Sequence, residues 1–163
     1  MGIWNQMKKF NIIRDIQEKA NRWNFNGERF NCHNSIIDKH LKTGDYTVEG
    51  IEDIFTIEKK STVNEIFMNF GRGRARFYRE IKRLSEYKHP FIIVDATPEM
   101  IMCGSPYSKL SPSNVISCLL GIQIKYHIPI IYAGRVGEDL AYDIMRKVWN
   151  YSQTGELDAI TDR

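Results

Sequence analysis

The sequence predicts an α/β domain in which a mixed central sheet is flanked by helices. Two neighbouring extended segments around Gly50 have the residue pattern of an antiparallel hairpin. Two later segments, FIIVDA and IPIIYAG, are largely apolar, as expected for buried central strands. Between and after these segments, apolar residues recur at helical spacing. Hairpin strands followed by alternating helices and strands therefore indicate one mixed sheet with helices packed on it.

The first elements are short β-rich segments bounded by polar residues. In chain order we predict the strands FNIIRD (10–15), SIIDKHL (35–41), DYTVEG (45–50) and IFTIEKK (54–60), with Gly50 in the turn between the last two. TVNEIFMNF then predicts a short helix. The next segment, RARFYREIKRLSEY, predicts a longer one, because Phe77, Ile81 and Leu84 share a helical face.

Proline and serine delimit the elements of the second half. His89-Pro90 ends the long helix, because proline cannot continue the backbone hydrogen bonds. After the strand FIIVDA, Pro98 opens a short helical turn. The segment SPSNVISCLLGIQIKYH predicts a helix with a serine cap and Pro112 near its first turn. The strand IPIIYAG and a helix from about Val136 to Tyr151 complete the predicted order of elements.

Length and composition are those of one globular domain. At 163 residues, with 42% apolar and 26% charged residues, the chain is too short for two ordinary domains. We predict a domain over residues 1–151 and a flexible tail over residues 152–163. No apolar run approaches the roughly 20 residues of a spanning helix, and the first residues lack a signal-peptide pattern. We therefore expect no membrane partner and a cytoplasmic location.

The cysteines indicate neither a disulfide framework nor a zinc site. Cys32, Cys103 and Cys118 are odd in number and widely spaced, and no CxxC pair occurs. The neighbouring Cys32 and His33 resemble half of a metal site, but such a lone pair more often arises by chance on a strand.

Basic residues concentrate in one segment, although the net charge is only +3. Its members, opposed only by Glu80, are Arg72, Arg74, Arg76, Arg79, Lys82 and Arg83. Four of the arginines recur at spacings of four, three and four residues, close to one helix face. Such a face favours contact with DNA phosphates, which requires charge and reach rather than base recognition. The alternative is a solvated helix face with Glu80 and Glu86 nearby.

The predicted hairpin brings two carboxylates and a lysine to one face. If the hairpin turns symmetrically about Ile51-Glu52, Asp45 lies opposite Glu58, and Lys60 projects from the same face. Two carboxylates so close repel unless a cation intervenes, and Mg²⁺ suits such a site, with Mn²⁺ expected to substitute. Lys60 would then orient water or offset charge in phosphodiester cleavage. The alternative is that all three are solvated residues at strand ends.

These motifs, taken in order, resemble the XPF-type nuclease domain, a branch of the restriction-endonuclease-like PD-(D/E)XK nucleases. The matching segments are GDY, TIEKKSTVNEIF and GRARFYREIKRL, with Gly44-Asp45, Glu58, Lys60 and Gly73-Arg74 at the motif positions. Upstream, IIRDIQEKANRWNF is similar to the family's first-strand motif Asp-x-Arg-Glu and retains Asp15 and Glu18. The order of elements agrees over roughly residues 10 to 150. The chain resembles a compact phage or bacterial form without a helix-hairpin-helix domain.

The resemblance implies roles for particular residues. Asp45 and Glu58 become metal ligands and Lys60 the catalytic lysine, with Asp15 and Glu18 as further catalytic candidates. The candidate DNA contacts are Lys59, which replaces the family's middle Arg, and Arg72, Arg74, Arg76, Arg79 and Arg83. Arg74 alternatively buttresses the active site.

Several of these positions leave two interpretations open. Glu18 is equally well a solvated loop acid, and Asp95 either borders the site or caps a helix. Two family positions are changed in this sequence: Asn64 stands in place of an Asp, and Gln17 in place of an Arg.

The leading hypothesis is a Mg²⁺-dependent DNA endonuclease that acts on branched or flapped DNA in repair or recombination. A second is a catalytically inactive DNA-binding subunit of a nuclease complex, which Asn64 favours and the retention of Asp45, Glu58 and Lys60 opposes. A third is an interaction domain whose basic helix binds an acidic protein. Salt-dependent DNA binding separates the third from the other two. Domains of this family often dimerise, so the resemblance also implies a homodimer or a nuclease partner subunit.

Overall fold

A six-stranded mixed sheet forms the centre of the fold. The structure is a computed structural model that describes residues 8–159. The strands are β1 Phe10–Asp15, β2 His33–Lys39, β3 Tyr46–Val48, β4 Phe55–Lys60, β5 His89–Val94 and β6 Ile130–Tyr132. Their order across the sheet is β2-β1-β3-β4-β5-β6. β3 is antiparallel to both of its neighbours, whereas the other adjacent strands are parallel. The predicted α/β class with a mixed sheet is confirmed.

Six α-helices within residues 8–159 flank the sheet. They are α1 Val63–Phe70, α2 Arg74–Leu84, α3 Pro98–Met102, α4 Pro112–Tyr126, α5 Gly137–Thr154 and α6 Glu156–Ala159. Three of them, α1, α3 and α4, begin at a side-chain cap. The Thr62 hydroxyl accepts a hydrogen bond from the backbone N–H of Glu65 at the start of α1. The Ser111 hydroxyl does the same for Asn114 at the start of α4, where Pro112 occupies the first turn as predicted.

Both faces of the sheet are buried, because its central strands carry apolar residues on each side. On one face Ile57 belongs to a core that includes Tyr142 and the rest of the inner side of α5. On the other face Ile92 belongs to a core built with α1, α2 and α4, including Phe67 and Leu119. The two faces of β4 therefore lie in different surroundings, which matters for the alternating residues Glu58, Lys59 and Lys60.

Element types agree with the predictions, whereas some boundaries differ. β2 begins at His33 and ends at Lys39, two residues earlier than predicted, because it pairs with β1 over that range. The long basic helix ends at Leu84, before the His89-Pro90 signal. Within the predicted tail, α5 continues to Thr154, and Leu157 of α6 is buried against the α5 core. Residues 152–154 and 156–159 are thus helical, with a turn at Gly155, and residues 160–163 lie outside the described residues.

The described helices differ from membrane-spanning ones. None of those within residues 8–159 combines the length and the apolar character that a bilayer crossing requires.

Candidate active site

The predicted hairpin register is present at the one pair that joins β3 to β4. Tyr46 pairs with Ile57, so Asp45 and Glu58 are the next residues along each strand. The Asp45 carboxylate accepts a hydrogen bond of 2.7 Å from the backbone N–H of Lys59. Burial raises the pKa of the Asp45 carboxyl, and the nearby negative charge of Glu58 raises it further. The structure therefore brings Asp45 and Glu58 together.

Gly44 is required where the chain enters β3. Its φ of 81° lies in the left-handed region that favours glycine. A Cβ at this position would lie 2.0 Å from the Thr56 hydroxyl oxygen and 3.1 Å from the Ile57 carbonyl oxygen. The Gly-Asp pair thus has a steric basis: only glycine lets the chain pass this close to β4, and the next residue is Asp45.

Lys60 lies on the same side of β4 as Glu58, as strand periodicity predicts. Its Nζ is 2.6 Å from Glu58 Oε1, and both side chains are almost fully buried. The same Nζ lies 3.8 Å from carboxylate oxygens of Glu65 and Glu80 and 5.1 Å from the Phe77 ring centroid. One ammonium group therefore serves three carboxylates, and the site carries an excess of negative charge.

The protonation of this cluster follows from that excess. Burial raises the pKa of Glu58; the Lys60 ammonium opposes the shift and Glu80 adds to it. Burial lowers the pKa of Lys60, but the carboxylates of Glu58, Glu80 and Glu65 outweigh it, and the net shift is upward. Lys60 consequently remains a cation at neutral pH, whereas Glu58 and Asp45 bind protons more tightly than ordinary carboxylates do.

A cavity of about 320 Å³ opens over the two carboxylates. Its walls come from the segment after β1, from the end of β4 and from the start of α1. The lining residues are Gln17, Glu18, Lys19, Ala20, Asn21, Asp45, Glu58, Lys59, Ser61, Thr62 and Glu65. Four carboxylates face this space from four different chain segments, with Asp45 entering just before β3, so a small cation and a phosphate group could be accommodated there together.

Asp15 organises the border of the site rather than its centre. It is buried, and its two oxygens accept hydrogen bonds from the backbone N–H groups of Gln17 at 2.7 Å and Leu41 at 2.6 Å. Both oxygens are thereby engaged in holding the segments that follow β1 and β2. Among the candidates from the first strand, Glu18 lines the cavity and Asp15 is not among the lining residues.

Lys59 is not placed to touch DNA, in contrast to the prediction. Its side chain is 0% exposed, because β4 directs it toward the α5 face, opposite to Glu58 and Lys60. Its Nζ donates to Glu18 Oε1 at 3.2 Å and to the carbonyl oxygen of Asn21. A phosphate could reach this ammonium only if the segment above it moved away.

The arginines of α2 are exposed beside the site. The helix buries Phe77, Ile81 and Leu84, as its spacing predicted. Its solvent side carries Arg74, Arg76, Arg79, Lys82 and Arg83, and Arg72 precedes it on the same exposed surface. The guanidinium of Arg74 stacks over the Tyr78 ring at 5.4 Å. Phe77 and Glu80, on the inward side of the same helix, lie near the Lys60 ammonium, so α2 is packed over the carboxylate cluster.

The sequence reasoning missed Glu65 and Glu80 as members of the site. Glu65 follows Asn64, the position where the family motif has an Asp, but its spacing from Thr62 is that of a helix capping box. Asn64 itself accepts a hydrogen bond from the Ser105 hydroxyl at 2.7 Å. Glu80 is three residues from Phe77 and so shares the inward side of α2. That spacing was the available signal.

Asp95 borders the site from the opposite face of the sheet. Its Oδ2 lies 4.0 Å from Lys59 Nζ, and its buried Oδ1 has no hydrogen-bond partner within residues 8–159. Gly137 lets α5 approach, since a Cβ there would lie 2.0 Å from that oxygen. Thr97, not Asp95, caps α3. Burial raises the pKa of Asp95 to about 6, with Lys59 opposing the shift and Glu18 adding to it.

This raised pKa predicts that Asp95 makes stability fall as pH rises. The folded protein holds the Asp95 proton more tightly than the unfolded chain does, so the benefit is complete below pH about 4 and is lost through about pH 6. We compare the free energy of unfolding of wild type with that of Asp95→Asn. The difference should fall by roughly 1–2 kcal/mol between pH 4 and 7.5. The expected change is about 1.36 kcal/mol for each pKa unit, reduced because the side chain is partly exposed. Urea unfolding in chelator at several pH values measures it. A pH-independent difference would contradict the assignment.

The donor set fits a hard divalent cation. Mg²⁺ uses oxygen ligands and often only one or two protein carboxylates, with water and phosphate in its remaining positions. Asp45 and Glu58 supply two carboxylates side by side in a region of excess negative charge. Within the described part of the chain, no group of three or more His, Cys, Asp or Glu residues has metal-holding geometry. Asp45 and Glu58 are accordingly the residues that would hold the ion.

The fold and this site define a restriction-endonuclease-like α/β domain. The sequence matches the ERCC4 domain over residues 15–136. The chain therefore belongs to the ERCC4 domain family, the XPF-type nuclease domains. No curated protein sequence matches it.

Two solved structures share the fold. XPF from Aeropyrum pernix is 20% identical, with a TM-score of 0.63 over 90% of this chain and 69% of that one. A second structure of XPF from Aeropyrum pernix, in complex with DNA, is 18% identical, with a TM-score of 0.64 over 88% of this chain and 66% of that one. The chain thus spans about two thirds of the length of the proteins in these structures.

Proposed function

We propose that the protein is a Mg²⁺-dependent DNA endonuclease that cleaves phosphodiester bonds, acting on branched or flapped DNA during repair or recombination. The observation that carries the proposal is the pair of carboxylates Asp45 and Glu58 lining one cavity, with the Lys60 ammonium 2.6 Å from Glu58. Membership of the ERCC4 domain family supports it independently. So does the likeness to a structure of XPF in complex with DNA.

Each of the three central residues has a chemical role that follows from its surroundings. Asp45 and Glu58 would hold Mg²⁺, which supplies a polarised phosphate oxygen and a more acidic bound water. Lys60 remains charged at neutral pH and lies beside Glu58, so it offsets negative charge that develops on the phosphate. Burial raises the pKa of both carboxyls, so a bound cation would compete with protons for them.

The exposed arginine face of α2 would position the DNA backbone next to this cluster. Phosphate contacts fix the register of a nucleic acid without reading its sequence. Phe77 and Glu80 on the inner side of this helix contact Lys60, so we place the DNA strand along the outer side of the helix that packs over the cluster. An enzyme that recognises the shape of branched DNA requires contacts of this sequence-independent kind.

We expect the double variant Arg76→Ala/Arg79→Ala to bind every DNA sequence more weakly and with less dependence on salt. The slope of log affinity against log salt should become shallower by about 0.9 for each phosphate contact removed from duplex DNA. Fluorescence anisotropy over a salt series in chelator measures both quantities. Lys125→Ala, at an exposed position in the last turn of α4, is the control and should leave the slope unchanged. An unchanged slope in the double variant would mean that the two arginines contact no phosphate.

One experiment tests the proposal as a whole. Purified protein is incubated with linear, flapped and four-way DNA, with Mg²⁺, with Mn²⁺ or with chelator. Cleavage of the branched substrates with either metal, and none in chelator, is expected. DNA binding without cleavage under all conditions would instead identify a catalytically inactive DNA-binding subunit, and absence of both would overturn the proposal.

The proposal includes a homodimer or a partner subunit. Leu120 and Ile124 on the outer side of α4 are 49% and 74% exposed, a pair of apolar side chains that an interface would cover. Sedimentation at several protein concentrations, for wild type and Ile124→Glu, decides whether this helix mediates self-association.

A further inference from the structure

Lys59 is an ammonium group buried with specific partners. Besides Glu18 and the carbonyl of Asn21, its Nζ lies 4.0 Å from Asp95 and 4.9 Å from the centroid of the Trp23 ring. A buried charge is costly unless its geometry and hydrogen bonds are satisfied. The same contacts that stabilise the Lys59 ammonium therefore also fix the positions of its partners.

Three of these four partners lie in one stretch of chain, which we call the wall segment, residues 17–25. Its first half, residues 17–21, forms one side of the cavity over Asp45 and Glu58. Glu18, which lines the cavity, is close enough to Asp45 to raise the pKa of that carboxyl. The position of the wall segment thus determines which groups face the site.

The two halves of the wall segment are anchored differently. The second half is fastened to the sheet and to α5: the backbone N–H of Trp23 donates to the Tyr46 hydroxyl, its carbonyl accepts from Arg14, and Glu138 accepts from the N–H groups of residues 24 and 25. The first half has Asp15 at its start and Lys59 beneath residues 18 and 21. Lys59 is the side chain from the sheet that reaches the middle of this wall.

Asn21 shows that the wall is constrained. Its φ of 55° lies in the left-handed region, which is uncommon for residues other than glycine. Such a backbone conformation persists when its surroundings enforce it. The bond from Lys59 to the Asn21 carbonyl acts directly on this residue.

We propose that Lys59 is a positioning residue that locks the wall segment against the sheet, so that Glu18 faces Asp45 and Glu58. It contacts neither DNA nor the reacting phosphate. Its consequence for cleavage rests on the proposed nuclease function, whereas its consequence for the order of the wall segment does not.

The test compares Lys59→Met, Lys59→Arg and the control Lys125→Met. Lys59→Met keeps the apolar stem but removes the charge, so amide hydrogen exchange across residues 17–25 should become faster. Its kcat for cleavage should fall by about 10- to 100-fold, since a displacement of about 1 Å can cost that much. DNA affinity and its salt slope in chelator should match wild type. Lys59→Arg should recover most of the protection and the rate, and Lys125→Met should change neither.

Other results would overturn the assignment. A salt slope lowered by about 0.9 in Lys59→Met would mean that this lysine contacts phosphate. A lower kcat with unchanged exchange over residues 17–25 would mean a direct chemical role. If Lys59→Met does not fold, Glu18→Gln removes one partner charge of Lys59 instead. Unchanged amide hydrogen exchange in Glu18→Gln would then overturn the proposal that Lys59 holds the wall segment. A wild-type protein without cleavage activity would refute the nuclease proposal, while the exchange comparison would still decide the role of Lys59.

Discussion

Glu58→Gln should abolish Mg²⁺-dependent DNA cleavage, lowering the rate by about 10³-fold. Metal stabilisation of the transition state is worth several kcal/mol, and about 4 kcal/mol corresponds to that factor at 1.36 kcal/mol for each tenfold. The amide keeps the size of the side chain but loses the charge that would hold the ion. Cleavage of a labelled flapped DNA measures the rate, and calorimetric titration with Mn²⁺ measures metal affinity, which should also fall.

The variant should still fold and bind DNA. Glu58 is only 4% exposed, and burial already favours its neutral form, so a neutral amide suits the position. Glu86→Gln makes the same charge change at an exposed position just beyond α2 and is the matched control, with full activity expected. Undiminished cleavage by Glu58→Gln would remove this residue from the metal site.

Lys60→Met should also abolish cleavage, with a loss of about 10²–10³-fold in kcat, the effect of removing one preorganised group that stabilises developing charge. The metal affinity of Lys60→Met should not fall, in contrast to the fall expected for Glu58→Gln. Removing the ammonium 2.6 Å from Glu58 leaves the carboxylates without their shared cation, so Mn²⁺ should bind at least as tightly as to wild type. Single-turnover cleavage and Mn²⁺ titration on the same samples measure both effects.

The two variants together separate the roles of the pair. Loss of metal affinity in Lys60→Met would mean that the lysine organises the ligands rather than acts on the phosphate. Retained cleavage in that variant would remove Lys60 from the chemistry. Lys125→Met, at an exposed position in the last turn of α4, controls for the loss of one positive charge.

The geometry of the β3–β4 hairpin could be predicted from local sequence patterns. Period-two alternation predicted that Lys60 shares a face with Glu58 and that Lys59 does not, and a simple turn about residues 51–52 predicted the register that Tyr46 and Ile57 adopt. These properties depend on nearby residues and on strand geometry. They were therefore accessible from the sequence.

The surroundings of Lys59 could not be predicted from the sequence. The resemblance, in which Lys59 replaces the family's middle Arg, implied a DNA contact for this residue. Instead its surroundings come from Glu18, Trp23 and Asp95, three residues in two distant parts of the chain. Nothing in the spacing of these residues indicates that they converge on one buried ammonium.

The carboxylates around Lys60 likewise come together only in the folded chain. Glu65 has the sequence signature of a capping residue, and Glu80 has that of a lone acid on a basic helix. Both lie 3.8 Å from Lys60 because α1 and α2 pack on the face of β4 that carries it. The spacing of Glu80 from Phe77 indicates the inward side of α2, but the contact with Lys60 depends on how the helices pack on the sheet.

The sequence by itself determined the α/β class, the order of the elements and the placement of Asp45, Glu58 and Lys60 on one face. Each of these follows from backbone geometry over a few residues or from an ordered set of motifs. Only the tertiary structure decided that Asp15 holds loop backbone, that Lys59 is buried beneath the cavity wall and that Glu65 and Glu80 share Lys60. These outcomes depend on burial and on charges brought together from separate elements, which exist only once the chain has folded.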